Sequence, residues 1–340
     1  MRSFASDNNS GVHPRIMDAI ISANRDHAVG YGDDPWTREA TDKIREVFGP
    51  QAAPFFVFNG TGANAVALQA ITRPYNSIIC ADTAHIYVDE CGAPARLTGC
   101  AVTSIATPDG KLTPELIRPY LCNFGICHHS QPGAVYISQV TELGTVYTIG
   151  EVRALADLLH SHGMRLHMDG ARLANACAAL GCSMREVTVD AGVDILSFGG
   201  TKNGMMMGES VISFHPEITE NLQYIRKQSA QLASKLRYLS AQFVAYLTDD
   251  LWLDLARRAN AKATRLAVAL ARYPAIRFTQ KVETNQLFFT LPTEALRTLQ
   301  QKYFFYMWNE AINEARLVTS WDTTDDDISA MERTLEEIFD

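Results

Sequence analysis

Two short stretches hold side chains suited to chemistry at one edge of one sheet. They are His167-Met168-Asp169-Gly170-Ala171-Arg172 and Gly199-Gly200-Thr201-Lys202-Asn203. Each follows an apolar run, 164–168 and 193–198, that reads as a buried strand. An acid, an arginine and a lone lysine therefore converge. Pyridoxal 5'-phosphate (PLP) chemistry needs that set. The lysine amine forms a Schiff base, the aspartate keeps the ring nitrogen protonated, and the arginine takes a substrate carboxylate. Apolar and Gly-rich neighbours disfavour the ammonium form of Lys202. Plainer roles stay open: Asp169 as a helix N-cap, Arg172 as its i,i+3 partner, Lys202 as a solvated loop lysine.

Further residues fit around this centre. Asn59-Gly60-Thr61-Gly62-Ala63-Asn64 joins an apolar strand, 55–58, to an Ala-rich helix. Gly60 and Thr61 could cradle a phosphate at the helix start. The stretch lacks both the Gly-Lys of a Walker A loop and a GxGxxG spacing, and an ordinary turn is the alternative. His85 follows a strand at 77–81, where a histidine can stack on a pyridine ring or act as acid or base. A surface or satisfied core histidine is the plainer reading. Arg316, in the apolar run 315–320, needs an anion, either a substrate carboxylate or an internal acid. Cys122 and Cys127, beside His128 and His129, fall short of four well-spaced zinc ligands, so no metal is expected. The seven cysteines read as reduced thiols of a cytoplasmic protein.

These side chains must be positioned by a large core. The chain has 340 residues, 47% hydrophobic and 20% charged, which suggests two domains. A net charge of -8 and the absence of a basic run argue against nucleic acid or anionic membrane partners. No apolar stretch has transmembrane length, and the first residues lack a signal-peptide core. Strands alternate with helices as far as residue 214, which predicts an α/β fold with a mostly parallel sheet. Ligands of such sheets sit beyond the carboxyl ends of the strands. Beyond Pro216 the pattern predicts helices at 217–247 and 251–273, strands at 276–279, 286–291 and 315–320, and helices at 293–301 and 325–338. The expected division is a large α/β domain, 1–245, with an irregular polar arm, 1–14, and a small α+β domain, 246–340.

Taken together, the motifs resemble the fold-type I PLP enzymes and, within them, the L-threonine aldolase family. The segments that carry the resemblance are Ser6-Asp7-Asn8, Tyr31-Gly32-Asp33-Asp34, 59–64, His85, 167–172, Thr201-Lys202 and Arg316-Leu317-Val318-Thr319. Segments 4–11 and 198–204 are similar to the bacterial low-specificity threonine aldolase and phenylserine aldolase branch. The resemblance implies a PLP-binding transferase-like fold and a role for each position. Lys202 would carry the cofactor, Asp169 would face its ring nitrogen and His85 would stack on the ring. Gly60 and Thr61 would hold the phosphate. Ser6, Arg172 and Arg316 would bind the amino-acid carboxylate. It also implies a homotetramer with active sites between subunits, where Tyr31 and Lys227 would reach a neighbour's site, Lys227 towards its phosphate. Some members carry a second histidine after the strand at 134–138; Glu142 stands there in this chain. The base for a β-hydroxyl is therefore His85, Glu142 or a water.

The implied activity is reversible retro-aldol cleavage of L-β-hydroxy-α-amino acids, such as L-threonine, L-allo-threonine and L-phenylserine, to glycine and an aldehyde. β-Elimination or transamination on the same scaffold is the alternative within enzymes. A non-catalytic PLP-binding protein is the alternative outside them, and two carboxylate-binding arginines argue against it.

Overall fold

The computed structural model describes residues 2–122 and 124–339. The larger sheet contains β1 (Ala53–Val57), β2 (Asn76–Ala81), β3 (Ala101–Ile105), β4 (Gln131–Ser138), β5 (Arg165–Gly170), β6 (Ile195–Gly199) and β7 (Glu209–Ser213). Their order is β1-β7-β6-β5-β4-β2-β3. Every pairing from β3 to β6 is parallel, whereas β7 runs antiparallel to both β6 and β1.

Strand periodicity explains how both faces are covered. In β6, Ile195 enters one apolar cluster while Leu196 and Phe198 enter another. Val211 and Ile212 of β7 divide in the same way. The helices Gly60–Ile71 and Pro216–Gln228 supply Val66, Ala67 and Leu222 to one face. Pro35–Phe48, Leu173–Leu180 and Arg237–Leu247 supply Ile44, Phe48, Leu173 and Phe243 to the other. All residues of β6 and β7 are buried, while the edge strands β1 and β3 are partly open.

The second sheet contains β8 (Arg277–Phe278), β9 (Gln286–Thr290), β10 (Tyr306–Asn309) and β11 (Glu314–Val318), in antiparallel order β10-β11-β9-β8. Strand β10 is absent from the sequence reading, because Tyr306-Met307-Trp308-Asn309 shows no clean alternation of burial. The helix Leu251–Leu270 serves both cores. Leu251 and Leu255 pack into the large one, Ala263 and Leu270 into the small one.

Two expectations need correction. The helix expected over 217–247 is two helices, Pro216–Gln228 and Arg237–Leu247. Ala230 takes φ 58° between them, and the chain turns so that Gln231 Oε1 accepts from the Phe58 N–H at 3.0 Å. The arm is not polar where it matters. Phe4, Ala5 and Asp7 are wholly buried. The Phe4 N–H donates to Phe304 O at 2.7 Å, and the Val318 N–H donates to Phe4 O at 2.8 Å. A short 3-10 turn, Asp7–Asn9, then passes the catalytic edge.

A buried acid ties the opposite edge of the large sheet. Asp194 accepts from Arg165 Nη1 at 2.8 Å, the Leu166 N–H at 2.7 Å, and His160 and His215 Nε2 at 2.9 Å each. Burial alone would raise its pKa, but bonds from His215, the Leu166 amide, His160 and Arg165 hold it at about 2. A depressed carboxylate stabilises the fold above its ordinary pKa and loses that effect as pH falls towards the folded value. Asp194→Asn should therefore cost about 2 kcal/mol at neutral pH, shrinking as pH drops from about 4 to about 2. Urea midpoints of both proteins check this; equal midpoints at pH 7 would refute it.

Candidate active site

The carboxyl ends of β1, β2, β5 and β6 open onto one cavity of about 290 Å³. Its lining includes Asn8, Asn59, Gly60, Thr61, Asn64, His85, Asp169, Thr201, Lys202 and Glu209. Five positions chosen from the sequence thus meet: Gly60, Thr61, His85, Asp169 and Lys202.

Lys202 sits in a 3-10 turn, Thr201–Asn203, directly after β6. Asn203 pins that turn, with Nδ2 donating to Tyr246 OH at 2.9 Å and Trp252 O at 2.8 Å. Desolvation first, then the Arg172 charge, lowers the pKa of Lys202. A lysine so placed reaches its nucleophilic, neutral form more readily than a solvated one.

Asp169 lies near the end of β5 and is almost fully buried. Oδ1 accepts from the Ala171 N–H at 2.9 Å; Oδ2 accepts from Asn64 Nδ2 and Tyr136 OH, both at 2.8 Å. Burial would raise its pKa, but the Asn64 bond, the His85 and Lys202 charges and the Ala171 amide bring it below the ordinary value. Asp169 is an anion whose partners fix its direction.

Asn64 Nδ2 also donates to Glu90 Oε1 at 2.7 Å, and the same oxygen lies 2.7 Å from His85 Nδ1. That bond, opposed by burial, raises the His85 pKa. Glu142 faces elsewhere. Its Oε1 accepts from the His85 N–H at 2.7 Å and Ser138 Oγ at 2.6 Å, and it is not among the cavity-lining residues. Burial pushes its pKa up.

At the other end, Asn59 caps the helix Gly60–Ile71 by accepting from the Gly62 N–H at 2.8 Å. The Gly60 and Thr61 amides precede the first intrahelical donor, the Ala63 N–H that bonds Asn59 O, and can meet an anion. A Cβ on Gly60 would meet nothing within 4 Å, whereas one on Gly62 would strike Gln231 at 2.4 Å. The open side of the turn faces the cavity, and the closed side is packed.

The carboxylate-binding candidates form a separate buried group. Arg172 grips Asp7 with two bonds, Nε to Oδ2 at 2.7 Å and Nη2 to Oδ1 at 2.8 Å. Asn285 Nδ2 adds a third contact to Asp7 at 3.1 Å. Arg316 Nη2 donates to Ala5 O at 3.2 Å, and its guanidinium lies over Tyr306 and Trp308 at 5.8 and 5.4 Å. Among the described residues nothing bonds the buried Nε of Arg316. Burial, then the Arg172 charge, lowers the Arg316 pKa, so the two cations share a neighbourhood. Ser6 Oγ accepts from the Asn8 N–H at 3.2 Å. Tyr31 and Lys227 stand apart from the cavity within one chain. Lys227 Nζ lies 5.2 Å over the Tyr31 ring, which is 56% exposed.

This donor set fits PLP. It offers a buried amine, a fixed anion, a histidine, helix-start amides and an unpaired guanidinium N–H. No cluster of His, Cys, Asp or Glu able to hold a metal occurs among the described residues.

The profile of the beta-eliminating lyase family matches residues 3–293. The chain belongs to that family. Within the beta-eliminating lyases it belongs with the L-threonine aldolases. It is 43% identical to a low specificity L-threonine aldolase of Pseudomonas aeruginosa, over 95% of this chain and 93% of that protein. A counterpart from another Pseudomonas strain is 42% identical over the same shares. A threonine aldolase structure from Leishmania major superimposes with a TM-score of 0.94, 30% identity and 99% coverage of both chains. The architecture is that of the fold-type I enzymes.

In this family member, sequence reasoning gives no role to Asn64, Glu90, Tyr136 or Glu209, and none of its own to Asp7 within Ser6-Asp7-Asn8. Asn64 falls inside a motif chosen for phosphate, and Glu90 lies five residues after His85; those two had a local signal. Tyr136 and Glu209 had none, because only strand pairing brings them to this edge.

Proposed function

We propose that this chain is a PLP-dependent aldehyde-lyase that cleaves L-β-hydroxy-α-amino acids reversibly to glycine and an aldehyde. The observation that carries it is the convergence of Lys202, Asp169 and His85 on one cavity, beside a half-buried Arg172 and Arg316. PLP, when bound, supplies an electron sink for the charge left on the amino-acid Cα. Lys202 Nζ would be its covalent anchor, Asp169 would partner the ring nitrogen, and the Gly60 and Thr61 amides would hold the phosphate.

The remaining work belongs to the chain. Arg172 has Nε and Nη2 committed to Asp7, which leaves Nη1 for a substrate carboxylate. The unpaired Nε of Arg316 supplies a second donor, and Ser6 Oγ a third. Holding the carboxylate fixes the orientation of the Cα–Cβ bond, and fixed orientation is a large part of the rate gain. Of the base candidates, His85 is favoured. With Nδ1 turned to Glu90, its Nε2 is left to accept the β-hydroxyl proton. Glu142 already takes two hydrogen bonds away from the cavity, so it supports the His85 backbone instead.

Finer parts of the reading follow. We place phenylserine beside threonine and allo-threonine among the substrates. We read the chain as a cytoplasmic homotetramer in which Tyr31 and Lys227 of one subunit complete a neighbour's site. Their exposed pairing away from their own cavity supports this. No described helix is long and apolar enough to cross a membrane. The division into 1–245 and 246–340 is retained, with Leu251–Leu270 as the helix shared between cores.

Product analysis with L-threonine, L-allo-threonine and the phenylserine isomers tests the activity. Glycine and aldehyde in equal amounts are expected. Ammonia with a keto acid would instead assign elimination and overturn the proposal.

A further inference from the structure

Glu209 opens β7, the strand that runs against both its neighbours. The reversal sets its first residue where β1 and β6 end, opposite Val57 and Gly199. Glu209 is only 8% exposed, yet it lines the same cavity as Lys202. Its carboxylate fills the space above Gly199, where a Cβ would lie 1.4 Å from Oε2. Glycine at 199 is thus a condition for the carboxylate's position. A buried acid is costly without a partner. The Thr201 hydroxyl, which donates to Gly208 O at 3.4 Å, stands close to it, and the cation that faces it is Lys202.

We propose that Glu209 is a positioning residue for Lys202: lodged over Gly199, its carboxylate steadies a proton on Lys202 Nζ. This rests on the PLP reading above and adds to it an acid which that reading leaves without a role. The charged groups facing Lys202 are Arg172, Asp7, Asp169 and Glu209. Those facing Glu209 are Lys202 and Asp169, with Tyr246 as a further titratable neighbour. Burial pushes Glu209 up to about 7, against the Thr201 hydroxyl and the Lys202 charge, so above neutral pH it is an anion. An anion in the same cavity as Nζ favours its protonated form. Removing that charge must move the Nζ titration to lower pH.

The test compares wild-type holoenzyme with Glu209→Gln and Glu209→Asp. Each is titrated from about pH 6 to 10 while the visible absorbance of the lysine-bound cofactor is followed. That band reports protonation at Nζ, independently of turnover. Glu209→Gln should lower the midpoint by at least about half a pH unit. Glu209→Asp keeps the charge on a shorter stem and should fall between the two. A Gln midpoint at or above the wild-type value would overturn the proposal while leaving the PLP reading intact. A wild-type protein without the band would overturn both. If the Gln variant does not fold, the Asp variant decides alone: a midpoint at or above wild type refutes the role.

Discussion

Lys202→Ala will be inactive in aldehyde release and will lose the visible absorbance of covalently attached PLP. The expected fall in turnover is at least on the order of 10³-fold, the scale on which removal of a covalent-catalysis group acts. The structure gives the reason. The cavity contains one lysine among its lining residues, and both desolvation and the Arg172 charge favour its neutral, nucleophilic form. The turn that carries it is held by Asn203 through Tyr246 and Trp252, none of which the substitution touches. The variant should therefore melt close to wild type, so lost activity would not reflect lost fold. Normal glycine and aldehyde formation by this variant would remove the basis of the assignment.

Arg172→Ala is the second large effect, and it should appear in both stability and binding. Arg172 and the fully buried Asp7 form a two-bond ion pair. In the wild type, burial would raise the Asp7 pKa, but the charge and hydrogen bond of Arg172 bring it below the ordinary value. Removing the arginine strands a buried carboxylate with Asn285 and the more distant Lys202 charge. Breaking a buried pair in this way costs about 3–5 kcal/mol. The sign of the pH dependence follows. Without Arg172, burial wins and the folded pKa of Asp7 rises above its unfolded value. Ionisation then works against the fold, so the variant should be least stable at alkaline pH and recover partly on mild acidification. KM for the amino acid should rise about 100-fold, the loss of a charge-assisted carboxylate contact. Arg172→Lys keeps a charge but cannot reproduce the two-pronged grip, and should be intermediate. A KM within twofold of wild type in Arg172→Ala would refute the carboxylate role.

The fold was legible wherever local periodicity was strong. The strand expected over 77–81 and the helix expected over 325–338 agree with the observed Asn76–Ala81 and Asp325–Phe339. Legibility failed where a distant side chain decided the backbone. The break between Gln228 and Arg237 exists because Gln231 must reach Phe58 and pack on Gly62, 169 residues earlier. The helical pattern on either side shows nothing of that. The arm reads as polar because its buried residues, Phe4, Ala5 and Asp7, are three within a short, mostly polar run that shows no period.

The site divides along the same line. Sequence alone determined the candidates: Lys202, His85, Gly60 and Thr61 each follow a strand or open a helix, Asp169 stands near the end of one, and the parallel α/β rule sends all such positions to one edge. It also named Arg172 as a carboxylate-binding arginine and Arg316 as a cation in an apolar run. Only the tertiary structure decided what holds them. Asp7 comes to Arg172 across 165 residues, and Asn64 ties Asp169 to Glu90 and thence to His85. Glu209 reaches the cavity because β7 is reversed, so that the start of that strand lies beside the ends of the others. Strand direction is set by pairing and core packing over the whole sheet, not by the few residues of the strand itself, and a buried acid's partners are known only once that pairing exists.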